Sequence, residues 1–354
     1  MNEPKSSRYH RLQRLAGVLS LVVSSTWLLA LVLVRPGLPL WGMVVVLVIG
    51  NAVLTLPLAC YRGIILERRY ELSSQSVRAW GLDQLKGLGL SLGLALVAAE
   101  FVYATIRWQP AWWWIPAGIG ASLFSIVLAR LAPVLLLPIF YKFTPMDRPH
   151  LRDRLLSLSE RAGVPVLGVY EWALGARTRR ANAALTGTGS TRRILLSDTL
   201  LSDYSDDEIE VILAHELAHH VHGDIPRALG VEVLLIGCGL FAASVVLARA
   251  VPALGLAGAA DPRGLPVLVL AVSAASVVAL PLLNALSRRN EYRADRFALQ
   301  LTKRTDAFVS AMRRLGAQNL SEENPSRLSL WLFHSHPPIE ARIAAAHAQA
   351  GGER

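Results

Sequence analysis

The chain has 354 residues, 53% of them hydrophobic and only 18% charged, with a net charge of +10. That balance excludes an ordinary soluble two- or three-domain protein and points to a polytopic membrane protein. The two cysteines, Cys60 and Cys238, both lie in apolar runs, which argues against a disulfide framework and against a cysteine-based zinc site.

Six apolar runs are long enough to span a bilayer, near 15–34, 40–61, 85–106, 112–136, 228–250 and 265–286. The first is too long for a signal-peptide core and has no small-residue cleavage site, so it stays as an anchor. The short segments after the first, third and fifth runs carry only Arg35, Arg107, Arg249 and Arg263. The opposite side receives Lys5, Arg8, Arg11 and Arg14, then Arg62, Arg68, Arg69, Arg78 and Lys86, then the basic segments after 140 and 287. The asymmetry predicts both termini in the cytoplasm. It also accounts for the positive charge by topology, leaving nothing to support nucleic-acid binding. Trp108, Trp112, Trp113 and Trp114 form an aromatic belt at the outer boundary. Inside the spans, Arg130 and Glu232 lie at similar depth and could pair, sparing each a solitary burial, whereas Glu100 has no obvious partner.

Two segments are not membrane-like. Residues 141–227 predict a helix over 149–162 and a strand at 164–172. A hairpin follows, from 181–186 through Gly187 and Gly189 to 191–197. Residues 287–354 predict helices over 288–301, 305–317 and 338–349, separated by a polar stretch at 319–327. The resulting division is an N-terminal membrane region (1–140, four spans), a first extramembrane half (141–227), a two-span hairpin (228–286) and a second extramembrane half (287–354). Both halves fall on the same predicted side and so can form one domain, split in sequence by the last two spans.

The first half ends in a helix with unusual chemistry. Ser205 with Glu208 makes a capping box, Asp206 and Asp207 suit the helix N-terminus, and Gly223 with Pro226 ends the helix. His215 and His219, four residues apart, project from one face, and Glu216 follows the first histidine. His-Glu-x-x-His supplies two neutral imidazoles for Zn²⁺ and a carboxylate placed to take a proton from water. A surface helix that happens to carry two histidines gives the same three residues. A catalytic site needs a third ligand. His222 is too far along the axis, His220 points elsewhere, and Ile225 occupies the position six residues beyond the second histidine of the motif. Glu291 is the best remaining candidate, with Asp295 one turn later to accept a ligand histidine's outer N–H. The alternative is a solvated helix whose acids pair with Arg288, Arg289, Arg293 and Arg296.

Beyond the zinc motif, the chain resembles the type I CAAX prenyl proteases and their bacterial relatives, integral-membrane gluzincin zinc metallopeptidases. Leu56 through Gly63, Glu67-Arg68-Arg69-Tyr70 and Asp83-Gln84-Leu85-Lys86 are similar to that family's membrane region, and Pro138 through Pro145 to its link into the protease part. Asn182-Ala183-Ala184, Arg192 through Leu196 and Asp198 through Leu201 resemble its edge hairpin; His334-Ser335-His336-Pro337-Pro338 with Arg342 resembles its C-terminal signature. The resemblance implies one Zn²⁺ per chain held by His215, His219 and Glu291, with Glu216 as general base and Asp295 orienting a ligand histidine. It further implies that His336 and Arg342 hold the oxyanion, and that the strand at Asn182 and Ala183 pairs with an extended substrate. Two departures stand out. Six spans instead of seven argue against the closed intramembrane chamber of the eukaryotic members, and Ala183-Ala184 replaces a frequent aromatic.

The expected fold is mainly α: a six-span helical membrane protein with a small cytoplasmic α+β zincin-type domain. The expected activity is zinc-dependent hydrolysis of peptides or membrane-associated proteins, possible lipid-modified substrates included, at the bilayer; in a bacterium this would be at the inner membrane. The rivals are a heat-shock-type quality-control metalloprotease and a non-catalytic transporter or scaffold with a structural metal site. The Tyr61-Arg62-Gly63 and Glu67 through Tyr70 stretch favours the CAAX-type branch over the first, and the intact Glu216 opposes the second.

Overall fold

A computed structural model describes residues 4–187 and 189–352. Among them, six helices are long and apolar enough to cross a membrane. In chain order, α1 spans Lys5–Val34 and α2 spans Leu40–Cys60. A π-helical stretch, Tyr61–Leu66, joins α2 to the short α3, Glu67–Arg69. It follows Pro57, which lacks the N–H that a regular ladder needs. Next come α4 (Val77–Trp108) and α5 (Trp114–Leu135), then the short α6 (Leu137–Phe140). Met43, Tyr103, Ile106, Trp113, Ala117, Ala243 and Leu247 form the buried centre of this bundle.

Beyond the bundle come β1 (Phe143–Pro145), α7 (Pro149–Arg161), β2 (Gly168–Trp172), β3 (Ala183–Thr186), β4 (Arg193–Ser197) and α8 (Asp198–Asp203). The four strands form one sheet in the order β1-β2-β4-β3, with β2 and β4 parallel and the other pairs antiparallel. Then α9 (Asp206–Val221) is followed by the membrane helices α10 (Asp224–Leu254) and α11 (Leu265–Thr302). The chain ends with α12 (Thr305–Gln318), α13 (Arg327–Phe333) and α14 (Ile339–Gly352). A core of Leu151, Leu155, Val169, Ile194, Leu196, Ile209, Leu213 and Leu217 joins α7, the sheet and α9. A second core, around Val211, Leu299, Phe308, Met312 and Ile343, joins α9 to α11, α12 and α14.

Several expectations need correction. The strand expected at 164–172 starts only at Gly168. Gly163, at φ +70°, closes α7 with a hydrogen bond from Val164 N to Ser159 O, and Pro165 cannot donate to a ladder. The first hairpin strand starts at Ala183, because the Asn182 N–H donates to the Ser197 hydroxyl and not to a backbone carbonyl. The helix expected over 288–301 is the end of the sixth spanning helix, since no cap or breaker separates them. Strand β1 and helix α13 were not expected; α13 is started by the Ser326 hydroxyl, which accepts from Ser329 N at 3.2 Å. Glu232 does not pair with Arg130 among the described residues: its carboxylate accepts from Ser125 on α5 at 2.5 Å. Glu100 has a partner, Arg107 at 3.7 Å, two turns along the same helix.

The ends of the bundle differ. At one end, Arg35 donates to Leu254 O and Tyr103 to Asp261 O, tying the short connections together. At the other, Tyr9 of α1 packs with Leu66, Tyr70 and Leu72, and His10 contacts Leu320 O at 2.7 Å. The sheet and α9 belong to this second end.

Candidate active site

Helix α9 is specified locally. The Ser205 hydroxyl accepts from Glu208 N at 3.3 Å, and the Glu208 carboxylate accepts from Ser205 N at 2.8 Å, so the expected capping box is complete. Such a cap contributes about 1 kcal/mol. Ile209, Val211, Leu213, Ala214, Leu217 and Ala218 are fully buried, so the helix is held on several sides and not on a single stripe.

This placement brings His215 and His219 against α11. His215 Nε2 lies 3.4 Å from Glu291 Oε2, and His219 Nε2 lies 3.5 Å from Glu291 Oε1. Suitable donor atoms of the three residues all fall within 4.8 Å of one another. Zinc bonds of about 2.0–2.1 Å at tetrahedral angles put neighbouring donors about 3.3–3.4 Å apart, so the donor set fits a zinc ion. Electrostatics agree. Burial favours neutral His215, yet hydrogen bonds to Asp295 and Glu291 outweigh it and lift its pKa to about 9. His219 is also raised, its burial being outweighed chiefly by Glu291. The cluster therefore favours positive charge at this point.

Each histidine has its own carboxylate on the far side of the ring. His215 Nδ1 meets Asp295 Oδ1 at 2.9 Å, and His219 Nδ1 meets Asp224 Oδ2 at 2.9 Å. Asp295 was singled out from the sequence for such a contact; Asp224 was not. Gly223 between α9 and α10 has φ +65°, a conformation that glycine adopts freely, and the turn brings Asp224 back under the histidine five residues earlier. An acid directly after the closing glycine was the available signal. Both carboxylates are buried, and both are held by arginines. Arg342 donates from Nε and Nη2 to Asp295 at 2.8 and 2.5 Å. Arg293 pairs with Asp224 and also donates to Asn290 at 3.0 Å. Arg293 was read from sequence only as a counter-ion for the acids of a solvated helix.

The remaining candidates surround a cleft of about 480 Å³ lined by Glu216, His336, Arg342, Asn182 and Ala183. Burial pushes the Glu216 carboxyl above the usual range, against the pull of His215 and His219. His336 is largely exposed and puts Nδ1 2.9 Å from Glu291 Oε2; Arg342 Nη1 is 3.5 Å from the same oxygen. His220 and His222 stay outside the cluster, against Leu185 O at 3.4 Å and the Phe297 ring respectively.

Strand β3 is one of the two edge strands of the sheet. Ser197 N donates to Asn182 O at 2.9 Å, so Asn182 faces β4. In an antiparallel ladder the next residue then turns its N–H and C=O outward, which leaves those of Ala183 on the open edge beside the cleft. The Leu185 carbonyl, two residues on, meets His220 on that same edge.

Comparison with known proteins identifies the family. The model of peptidase family M48 matches residues 145–350, and that of the CAAX prenyl protease N-terminal region, described as five membrane helices, matches residues 10–142. The described residues of that second stretch hold four candidate spans. An uncharacterized metalloprotease, YhfN, of Bacillus subtilis (strain 168) is 31% identical over 312 residues, covering 87% of this chain and 73% of that protein. A CAAX prenyl protease 1 homolog of Arabidopsis thaliana is 30% identical over 302 residues, 82% of this chain and 69% of that one. The crystal structure of S. mikatae Ste24p shares the fold, with a TM-score of 0.74 at 24% identity over 84% of this chain and 72% of that one. A His-Glu-x-x-His helix facing a buried glutamate, in a chain with six spanning helices, thus has its relatives: this protein belongs to peptidase family M48 and is an integral, multi-pass membrane metalloprotease.

Proposed function

We propose that the protein is a zinc metalloendopeptidase in which His215, His219 and Glu291 hold the metal and Glu216 is the general base. The observation that carries this is the donor spacing, 3.4 and 3.5 Å from Glu291 to the two imidazoles, with Glu216 lining the adjoining cleft. When bound there, zinc would supply a water acidic enough to ionise near neutral pH and would polarise the scissile carbonyl. Glu216 would accept a proton from the attacking water and pass it to the amine nitrogen as the C–N bond breaks. The raised pKa of Glu216 suits both halves of this transfer. Asp295 and Asp224 fix the histidine rings so that Nε2 of each faces the Glu291 carboxylate. His336 and Arg342, both at the cleft, stabilise the oxyanion of the attacked carbonyl, and Arg342 also clamps Asp295. The Ala183 backbone pairs with an extended substrate.

In this reading residues 1–140 and 228–286 are the membrane part, and 141–227 with 287–354 form one protease domain on the cytoplasmic side. The loop charge asymmetry supports that orientation. The substrates are peptides or membrane-associated proteins, lipid-modified ones included, reaching the cleft from that face. The test is Glu216→Gln in the full chain. Zinc content should stay at one per chain while cleavage of a broad peptide library falls about 10²–10⁴-fold. Zinc in both forms with no cleavage by either refutes the enzyme reading.

A further inference from the structure

A second cavity, of about 470 Å³, adjoins the cleft where strand β3 begins, and both are lined by Ala181, Asn182 and Asn319. Its walls come from distant parts of the chain: Glu67 beside the π-helix, Ser73 and Gln75, Trp172 at the end of β2, and Thr178. These walls are stitched together. Arg179 N donates to Leu72 O at 2.9 Å, Ser74 N to Arg177 O at 3.2 Å, and the Thr178 hydroxyl to Leu72 O at 2.8 Å. Its volume lies within the range of about 300–1,000 Å³ that ligand sites occupy.

The lining is polar but internally neutralised. Arg180 Nη2 donates to both Glu67 oxygens at 3.1 Å, and Arg177 is paired with Asp83. A phosphate or carboxylate would have to break one of these pairs to find a cation. Three buried polar atoms of the lining residues, Trp172 Nε1, Arg180 Nε and Asn319 Oδ1, have no hydrogen-bond partner. A cavity with polar walls whose charges are already paired suits a neutral peptide backbone.

We propose that this cavity receives the substrate residues C-terminal to the cleaved bond, so that the enzyme requires an extended C-terminal flank. The proposal rests on the protease reading above. A strand added to β3 in the antiparallel sense, the slightly more stable pairing, runs against β3 and leaves past Asn182. At about 3.4 Å per residue it reaches the cavity within two or three residues of the pairing at Ala183.

The test uses the zinc-loaded full chain in detergent and quenched fluorescent peptides that share one cleavable core, with flanks of neutral polar residues lengthened at either end. Wild type should gain about tenfold in kcat/KM as the C-terminal flank grows from two to six residues, with less than about twofold from the N-terminal flank. Thr178→Phe and, separately, Gln75→Phe should remove that gain while leaving kcat/KM for the shortest peptide within about twofold of wild type. A gain that survives in both variants, that follows the N-terminal flank, or that follows added phospholipid instead of peptide length overturns the proposal. So does loss of short-peptide cleavage in both variants, which would make these walls scaffold only. Cleavage of short peptides without any length effect refutes this inference alone; cleavage of no peptide by wild type refutes the protease reading and this one with it.

Discussion

The two histidines of α9 sit in matching arrangements that are built differently. On the His215 side the carboxylate is Asp295 and its arginine is Arg342, all three at or below 8% exposure. On the His219 side the carboxylate is Asp224, equally buried, but its Arg293 side chain is 36% exposed and that of His219 is 22% exposed. The first set is assembled from three helices of the packed interior, α9, α11 and α14. The second hangs on a single turn at Gly223 and one partner on α11. Burial raises the cost of an unpaired charge, so the same chemical device is part of the core on one side and an adjustable rim on the other.

The largest expected effect removes what the two sides share. Glu291→Ala, or chelation of wild type, should abolish both zinc binding and cleavage, with zinc restoring activity only to the chelated wild type; atomic absorption and a peptide assay check this. Asp295→Asn comes next. It leaves the buried Arg342 with only the more distant Glu291 as counter-charge, at about 2–4 kcal/mol of stability, and weakens zinc binding about 10–100-fold. Competitive zinc titration and thermal unfolding read the two effects separately.

Asp224→Asn should weaken zinc by about tenfold with a much smaller loss of stability, because Arg293 can turn to solvent. Equal stability losses for Asp224→Asn and Asp295→Asn would break the comparison. The smallest effect concerns the helix that both histidines share. Burial alone would raise Glu208, but Ser310, Ser205 and Arg314 hold its carboxyl below the usual range. A depressed folded pKa contributes stability above the unfolded value of about 4.3, and that contribution is lost as pH falls through the folded one. The melting temperature of wild type should therefore exceed that of Glu208→Gln by about 2–4 °C above pH 5, a margin that shrinks as pH falls below 4.

How much could be read beforehand follows the range of the interactions. The capping box at Ser205 and Glu208, the one-face placement of His215 and His219, and the six spans all depend on residues within a few turns of each other, or on run length alone. Glu291 and Asp295 drew notice because two acids one turn apart need a reason to tolerate each other, but only together with the His-Glu-x-x-His helix on the same side did they point to a metal. Strand β1 was not: three residues ending in Pro145 have no period to detect, and only pairing with β2 makes them a strand.

By itself, then, the sequence determined the membrane class, the His-Glu-x-x-His helix with its cap, and which residue types could meet a metal, because helical period, capping and hydrophobic length are local properties of a chain. Only the tertiary structure decided that Asp224 serves His219, that Arg342 locks Asp295, that Glu232 turns to Ser125 and Glu100 to Arg107, and that a second cavity continues the cleft past Asn182. Those outcomes depend on how separately specified helices and strands pack, and a buried charge takes whichever partner the packing brings within hydrogen-bond reach.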